Sequence, residues 1–453
     1  MRIADLAGRR IAVWGYGREG KAAVAAIRAR LPNQPVTVFC SDAEAVEVSV
    51  DTVSAAVSTP PDAAALSAFD IVIKSPGISA YRPEILEAQH NGTHFTSGTA
   101  LWFAEHPDAR VIAVTGTKGK STVSALIAHF LRALGHRTAL AGNIGLPLLD
   151  LLDPPTLPDA WVVELSSFQT GEAGPLELGV VVSLAEEHLD WHGTRERYIA
   201  DKLKLAEVSR TLLVDAETPL LMQRTTVHRR RETFGNATGW HAADGWIMRG
   251  DERVFDIASL PLHGAHNAHN ACAALAAIEL LGFEARAAAP SLAAFKPLPH
   301  RLTSLGTRDG IEWIDDSIST TPDAALAALE SLRGRAVTLI LGGHDRGLEW
   351  EGFARALRVH APHAVVAQGA AGPRIAHTLR NAALACTVEE AVDLATAVAY
   401  AKKTTPRGGV VLLSPGAPSF DQFKNYAERG RAFARMAGCD GDAIGEITGL
   451  GIA

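Results

Sequence analysis

Glycines, lysines and hydroxyls crowd into Gly116-Thr117-Lys118-Gly119-Lys120-Ser121-Thr122, between an apolar run, VIAVT, and a helical pattern, STVSALIAHFL. Glycines let backbone N–H groups turn toward an anion, and a helix starting here adds the partial positive charge of its N-terminus. Lys120 can then reach the β- and γ-phosphates of a nucleotide, while the Ser121 hydroxyl can ligate Mg2+. Gly116 and Gly119 stand closer together than the glycines of the commonest phosphate loop. An ordinary strand-to-helix turn is the plainer alternative. The full Gly-x-x-Gly-Lys-Ser-Thr pattern in strand–loop–helix context argues against it.

A second glycine turn, Gly15-Tyr16-Gly17-Arg18-Glu19-Gly20, follows RRIAVW, and Asp42 lies near the end of the next apolar run. By itself this fingerprint has three readings: an NAD(P)-dependent oxidoreductase, a turn kept for helix packing, or a pocket for another nucleotide's diphosphate. The phosphate loop downstream favours the third. Glu164 closes the run AWVVELSS, and His188 follows LGVVVSL. Strand C-termini gather at one edge of a doubly wound sheet. A carboxylate, a hydroxyl and an imidazole there could hold Mg2+ between ATP and a substrate. A rim histidine without a ligand is the competing account of His188. Lys202, in RYIADKLKLAE, reads from its spacing as a solvated surface lysine, and Asn267 and Asn270 of GAHNAHN read as helix caps.

These residues need a scaffold, and the pattern supplies an α/β one. Runs such as RRIAVWG, PVTVFC, FDIVIKSPG, ARVIAVTG, VTLILGG, HAVVAQG and GGVVLLSPG are short, apolar on both faces and often end in Gly, Pro or Ser. Buried parallel strands read this way. Ala/Leu-rich stretches between them, among them KAAVAAIRARL and NACAALAAIELLG, space their apolar residues at three and four, as helices do. Breaks near HPDAR (106–110) and FKPLPHR (295–301) divide the chain into three expected domains at 1–108, 109–299 and 300–453. The first and third are expected to be Rossmann-like, the central one a mostly parallel ATPase-like sheet.

The composition excludes several classes. A net charge of −7 without a long basic run argues against a nucleic-acid partner. No stretch is long and apolar enough for a membrane span, and the N-terminus lacks the features of a signal peptide. Cys40, Cys272, Cys386 and Cys439 form no CxxC pair, which fits a reducing cytosol. A cytoplasmic monomer acting on small molecules is the expectation.

In order along the chain stand TGTKGKST, GNIG (142–145), ELSSFQ (164–169), EEHLD (186–190), Y-x-x-x-K (198–202), G-x-H-N-x-x-N (264–270), LPHR (298–301), DDS (315–317), LGG (341–343) and SPGAPSFDQFKNYAERG (414–430). Together they resemble the Mur ligase family, which joins an amino acid to a nucleotide-activated carboxylate using ATP. ELSSFQ and SPGAPSFDQFKN are similar to the glutamate-adding members, whose acceptor is UDP-N-acetylmuramoyl-L-alanine in peptidoglycan synthesis. Folylpolyglutamate synthetase shares the central domain but not those two segments.

The resemblance implies a mechanism. ATP phosphorylates the acceptor's carboxylate, and the amino acid's amine attacks the acyl phosphate. Lys120, His188 and Lys202 would be catalytic. Ser121, Glu164, His188 and a carbamylated Lys202 would hold Mg2+. Asn267, Asn270, Arg301 and Asp316 would join the loop 116–122 on ATP. The UDP would rest on Gly15, Gly17, Arg18, Glu19, Ser41 and Gly77, with Asn143, Ser166 and Gln169 on the muramoyl-alanine arm. Thr320, Arg346, Ser419, Phe420 and Tyr426 would take glutamate. Domain closure would keep water from the acyl phosphate.

Departures from the family pattern cluster where the incoming amino acid is expected. Ile318 replaces a lysine after DDS, Arg346 stands for the lysine after LGG, and Tyr426 stands for a phenylalanine. Arg18 and Glu19 occupy positions that are more usually small or apolar. A guanidinium fork holds a carboxylate differently from an ammonium point charge. These changes favour L-glutamate, as in the branch that relies on a separate epimerase, with D-glutamate the alternative. The rivals from other classes are an NAD(P) oxidoreductase, which leaves TGTKGKST unexplained, and a non-catalytic nucleotide sensor, against which Glu164, His188 and Lys202 all speak.

Overall fold

The computed structural model describes residues 1–45, 48, 55–185, 189–262, 264–442, 444–445, 447 and 449–453. His188 and the acidic pair before it lie outside the described residues. The architecture is α/β with mostly parallel sheets, as the alternating pattern implies.

Strands β1 (Ile11–Trp14), β2 (Val36–Phe39), β3 (Ala55–Val57), β4 (Ile71–Lys74) and β5 (His94–Thr96) form a fully parallel sheet ordered 3-2-1-4-5. β1 and β4 are buried along their whole length because helices cover both faces. The order reverses beside β1, and there the glycine turn enters helix Arg18–Arg30. Gly20 packs so tightly on the Gly15 carbonyl that no Cβ fits between them.

A second sheet is built from β6 (Val111–Thr115), β7 (Thr138–Gly142), β8 (Ala160–Glu164), β9 (Leu176–Val181), β10 (Ser209–Asp215) and β11 (Arg231–Phe234), in the order 11-10-9-6-8-7. All of these pairs are parallel. A small antiparallel meander, β12 (Trp240–Ala243), β13 (Trp246–Arg249) and β14 (Glu252–Asp256), follows. The apolar runs above do not include it.

The third large sheet comprises β15 (Thr303–Arg308), β16 (Ile311–Asp315), β17 (Val337–Gly342), β18 (Ala364–Gln368), β19 (Thr387–Ala391) and β20 (Val410–Leu413), ordered 15-16-20-17-18-19. Only the β15–β16 hairpin is antiparallel. A final strand, β21 (Gly451–Ile452), pairs antiparallel with β7 of the second sheet. Arg132 holds this tail by donating to the Gly449 and Gly451 carbonyls.

The chain forms two compact units: residues 1–260, 266–295 and 449–453 make the first, and 261–265 with 296–448 the second. The first therefore carries both of the first two large sheets and the tail, and the break between units falls beside the proline pair of FKPLPHR. All four cysteines are free. Among the described residues no helix is long and apolar enough to cross a membrane.

Candidate active site

Neighbouring strands β9, β6 and β8 end together at one edge of the second sheet. The loop 116–119 leaves β6 there, and Gly119, at φ +83°, caps helix Lys120–Ala133. A Cβ at Gly119 would lie 2.5 Å from Asn270 Oδ1. Both backbone conformation and space therefore demand glycine. Asn270 donates to Asn267 Oδ1 at 3.1 Å, and both are buried. They sit within helix Ala265–Leu280 rather than capping it, which replaces the cap reading with a place beside the loop.

The other side of the loop is pinned by the segment that follows β9. Thr117 N donates to Ser183 O at 3.1 Å and Lys118 N to Ser183 Oγ at 2.8 Å. Thr117 Oγ1 and Tyr198 OH share a 2.7 Å hydrogen bond. Lys120 Nζ folds back to Thr117 O at 3.4 Å, a long contact that a phosphate could displace. Ser121 is half-buried and Thr122 buried in the first helical turn.

Glu164 closes β8 and is 1% exposed. Its Oε1 accepts from Asn143 Nδ2 at 2.8 Å. Its Oε2 is buried with no partner among the described residues. A buried carboxylate oxygen without a donor is destabilising unless a cation joins it, so this site fits a divalent ion. Lys202 overturns its spacing-based reading: it is 2% exposed, on helix Arg195–Glu207, with its ammonium 5.0 Å from the Tyr198 ring centre. Among the described residues no three His, Cys, Asp or Glu side chains alone form a metal cluster.

Ser166 and Gln169 follow β8 in a tight turn. Ser166 Oγ donates to Gln169 Oε1 at 2.8 Å, and Gln169 Nε2 donates to Thr99 Oγ1 at 3.1 Å. Gln169 is 1% exposed, so its amide is committed to this turn. At the first sheet, Gly15 and Gly17 form the turn after β1, exposed Gly77 lies in the loop after β4, and Ser41 donates twice to Glu44. Arg18 Nη1 donates to Gly145 O at 2.9 Å, joining the glycine turn to GNIG.

Glu19 is raised to about 7, chiefly by burial and then by repulsion from Asp150 and Glu172. Burial likewise lowers the Lys74 ammonium, which lies 3.9 Å from Glu172. The unfolded chain ionises Glu19 near the ordinary glutamate value of 4.5, the folded chain only near 7. Its contribution to stability is therefore present below that lower value and lost as pH rises through about 7. A diphosphate placed on the glycine turn would meet the same charge. The KM for a nucleotide-diphosphate substrate should rise between about pH 6 and 8, and Glu19→Gln should flatten that profile. An unflattened profile assigns the dependence to another group.

In the second unit, adjacent strands β16, β20 and β17 carry DDS, SPG and LGG at their C-terminal ends. Asp316 is 3% exposed and pushed up to about 6 by burial, although Ser319 and Ser414 donate to it. Arg301 Nε is buried without a partner among the described residues. Thr320 follows DDS and is half-buried, Arg346 is exposed after LGG, and Ser419 is 2% exposed beside Phe420, which is 62% exposed. Tyr426 opens helix Tyr426–Met436, its ring 5.9 Å from that of His300. Arg429, buried at 1%, was not a sequence candidate. It donates to Ser317 Oγ and O and to Ala417 O, so one guanidinium ties the DDS loop to the SPGAPS loop.

This chain is 50% identical to the UDP-N-acetylmuramoyl-L-alanine--L-glutamate ligase of Xanthomonas axonopodis pv. citri, over the full length of both. The chain belongs to the Mur ligase family. The model of the Mur ligase middle domain matches residues 114–278, and that of the Mur ligase glutamate ligase domain matches 300–416. The corresponding L-glutamate ligase of Salinispora tropica is 40% identical, with 96% of this chain and 98% of the relative covered. Among solved structures, the UDP-N-acetylmuramate-alanine ligase of Thermotoga maritima shares the Mur ligase fold at a TM-score of 0.60 and 20% identity, covering 95% of this chain and 99% of that one. A D-alanyl-D-alanyl-adding ligase of Acinetobacter baumannii, at a TM-score of 0.57 and 18% identity, covers 79% of this chain and 89% of its own. Membership of the Mur ligases displaces the oxidoreductase reading of the first glycine turn.

Proposed function

We propose that this chain is an ATP-dependent ligase that adds L-glutamate to UDP-N-acetylmuramoyl-L-alanine in peptidoglycan synthesis, acting in the cytoplasm as a monomer. Its substrates are small molecules, ATP among them. Full-length identity to ligases named for that reaction carries the reading, and the constellation at the ends of β6, β8 and β9 supports it. Three functional domains at 1–108, 109–299 and 300–453 serve it, for UDP, ATP and glutamate respectively.

Loop 116–122 holds the ATP phosphates, with Lys120 neutralising charge on the transferring phosphoryl group. Asn267 and Asn270 lie beside that loop, and Arg301 and Asp316 of the second unit contribute to ATP binding. The precursor carboxylate attacks the γ-phosphorus, and ADP leaves. The free amine of glutamate attacks the acyl phosphate, and phosphate leaves as the amide forms. Mg2+ would be held by Ser121, Glu164, His188 and a carbamylated Lys202, supplying charge neutralisation between ATP and the carboxylate. Gly15, Gly17, Arg18, Glu19, Ser41 and Gly77 receive the UDP. Asn143, Ser166 and Gln169 shape the place of the muramoyl-alanine arm, Gln169 through the turn it stabilises. Thr320, Arg346, Ser419, Phe420 and Tyr426 hold glutamate. With Ile318 apolar, Arg346 becomes the cation for one of its carboxylates, as a fork rather than a point charge.

Phosphate release is the direct test, with UDP-N-acetylmuramoyl-L-alanine, ATP and either glutamate enantiomer. L-Glutamate should turn over, and D-glutamate should react below about a tenth of that rate. Turnover with D-glutamate alone makes the departures at Ile318, Arg346 and Tyr426 compensated variations, and silence with both overturns the substrate assignment.

A further inference from the structure

Asp201 stands one residue before Lys202 and is 4% exposed. Tyr81 OH donates to its two carboxylate oxygens at 2.7 and 2.8 Å. His192 Nδ1 lies 2.7 Å from Oδ2, and Lys204 Nζ lies 2.7 Å from Oδ1. The Asp201 carbonyl accepts from Thr170 Oγ1 at 2.7 Å. His192 is fully buried, and its Nε2 lies 3.0 Å from Ser167 Oγ.

Each partner comes from a segment with a functional neighbour. Tyr81 belongs to the loop after β4 that carries Gly77. Ser167 and Thr170 belong to the turn that carries Ser166 and Gln169. Asp201 shares its helix with Lys202. The β4 loop is tied a second time, since Ser79 Oγ donates to Trp191 O at 2.6 Å and Trp191 Nε1 donates to Pro76 O at 3.0 Å. The Tyr81 and Trp191 rings meet edge to face at 5.6 Å. Lys204 is 45% exposed on its side chain, but the histidine is buried, so a solvated ion pair does not account for the cluster.

Resting on the ligase reading above, we infer that Asp201 is a positioning residue. It sets the UDP-side loop 75–82, the 165–170 turn and the Lys202 helix in one register, so that the precursor's carboxylate meets the phosphoryl group in line. Charge-assisted hydrogen bonds to a buried carboxylate are short and directional, which suits them to fix such a register. Neither His192, Tyr81 nor Asp201 touches the reacting atoms in this account.

Tyr81→Phe tests it, because the ring packing stays and only the hydroxyl bond to Asp201 goes. The kcat for ligation should fall at least about tenfold, since small misplacements are costly in rate. The KM for ATP should stay within about twofold, because the phosphate loop contacts are untouched. A lower melting midpoint with unchanged kcat overturns the inference and leaves the cluster a purely stabilising one. Should Tyr81→Phe not fold, Ser79→Ala cuts the neighbouring tie without depriving a carboxylate of a donor, and the same loss of kcat is expected. Wild-type protein that turns over while both variants match it sinks this inference alone. Wild-type protein silent with UDP-N-acetylmuramoyl-L-alanine sinks the ligase reading instead.

Discussion

Lys120→Ala lowers ATP-dependent phosphate release on the order of 10³-fold or more, the scale for removing a preorganised cation from phosphoryl transfer. The lysine sits in the first turn of a helix capped by Gly119, and among the described residues its ammonium makes one hydrogen bond, a long one to Thr117 O. Little stability depends on that contact, so the melting midpoint of the variant should match the wild type. The loss then reads as chemistry rather than unfolding. Unchanged turnover removes Lys120 from the mechanism.

The second large effect is expected at Glu164. Its Oε1 keeps Asn143 in place while Oε2 has no donor among the described residues. Glu164→Gln is nearly isosteric and keeps an acceptor for Asn143, but it removes the charge that a divalent ion requires. At saturating ATP and precursor, kcat should fall about 100-fold, and the Mg2+ concentration for half-maximal rate should rise about tenfold or more. Titrating Mg2+ against rate separates the two. A variant whose Mg2+ dependence matches the wild type shows that Glu164 serves only to hold Asn143.

Local sequence determined much of the scaffold. β6, the glycine pair and the following helix are contiguous, so strand, loop and helix N-terminus are specified by neighbours in the chain. The runs that became β1, β4, β17 and β20 are largely apolar on both faces, as strands of a covered parallel sheet are. Ordered motifs also carried the family, and the preference for L-glutamate rested on the departures at Ile318, Arg346 and Tyr426.

Other features were decided by tertiary structure. Lys202 has the spacing of a surface lysine, and nothing local says that its helix is buried and bonded through Tyr198 to Thr117 of the phosphate loop after β6. Asn270 has the composition of a cap, yet the fold sets it against Gly119, more than a hundred residues earlier. Tyr81 and Asp201 carry no motif, and Arg429 lies in a helix whose partners are two distant loops. The last strand crosses back to β7 because an edge strand with unpaired N–H and C=O groups accepts any segment that reaches it. In each case the deciding energy is a buried hydrogen bond or the exclusion of a side chain between partners far apart in sequence. Periodicity reports which face of an element is apolar. It carries no information about which buried polar group that face will meet.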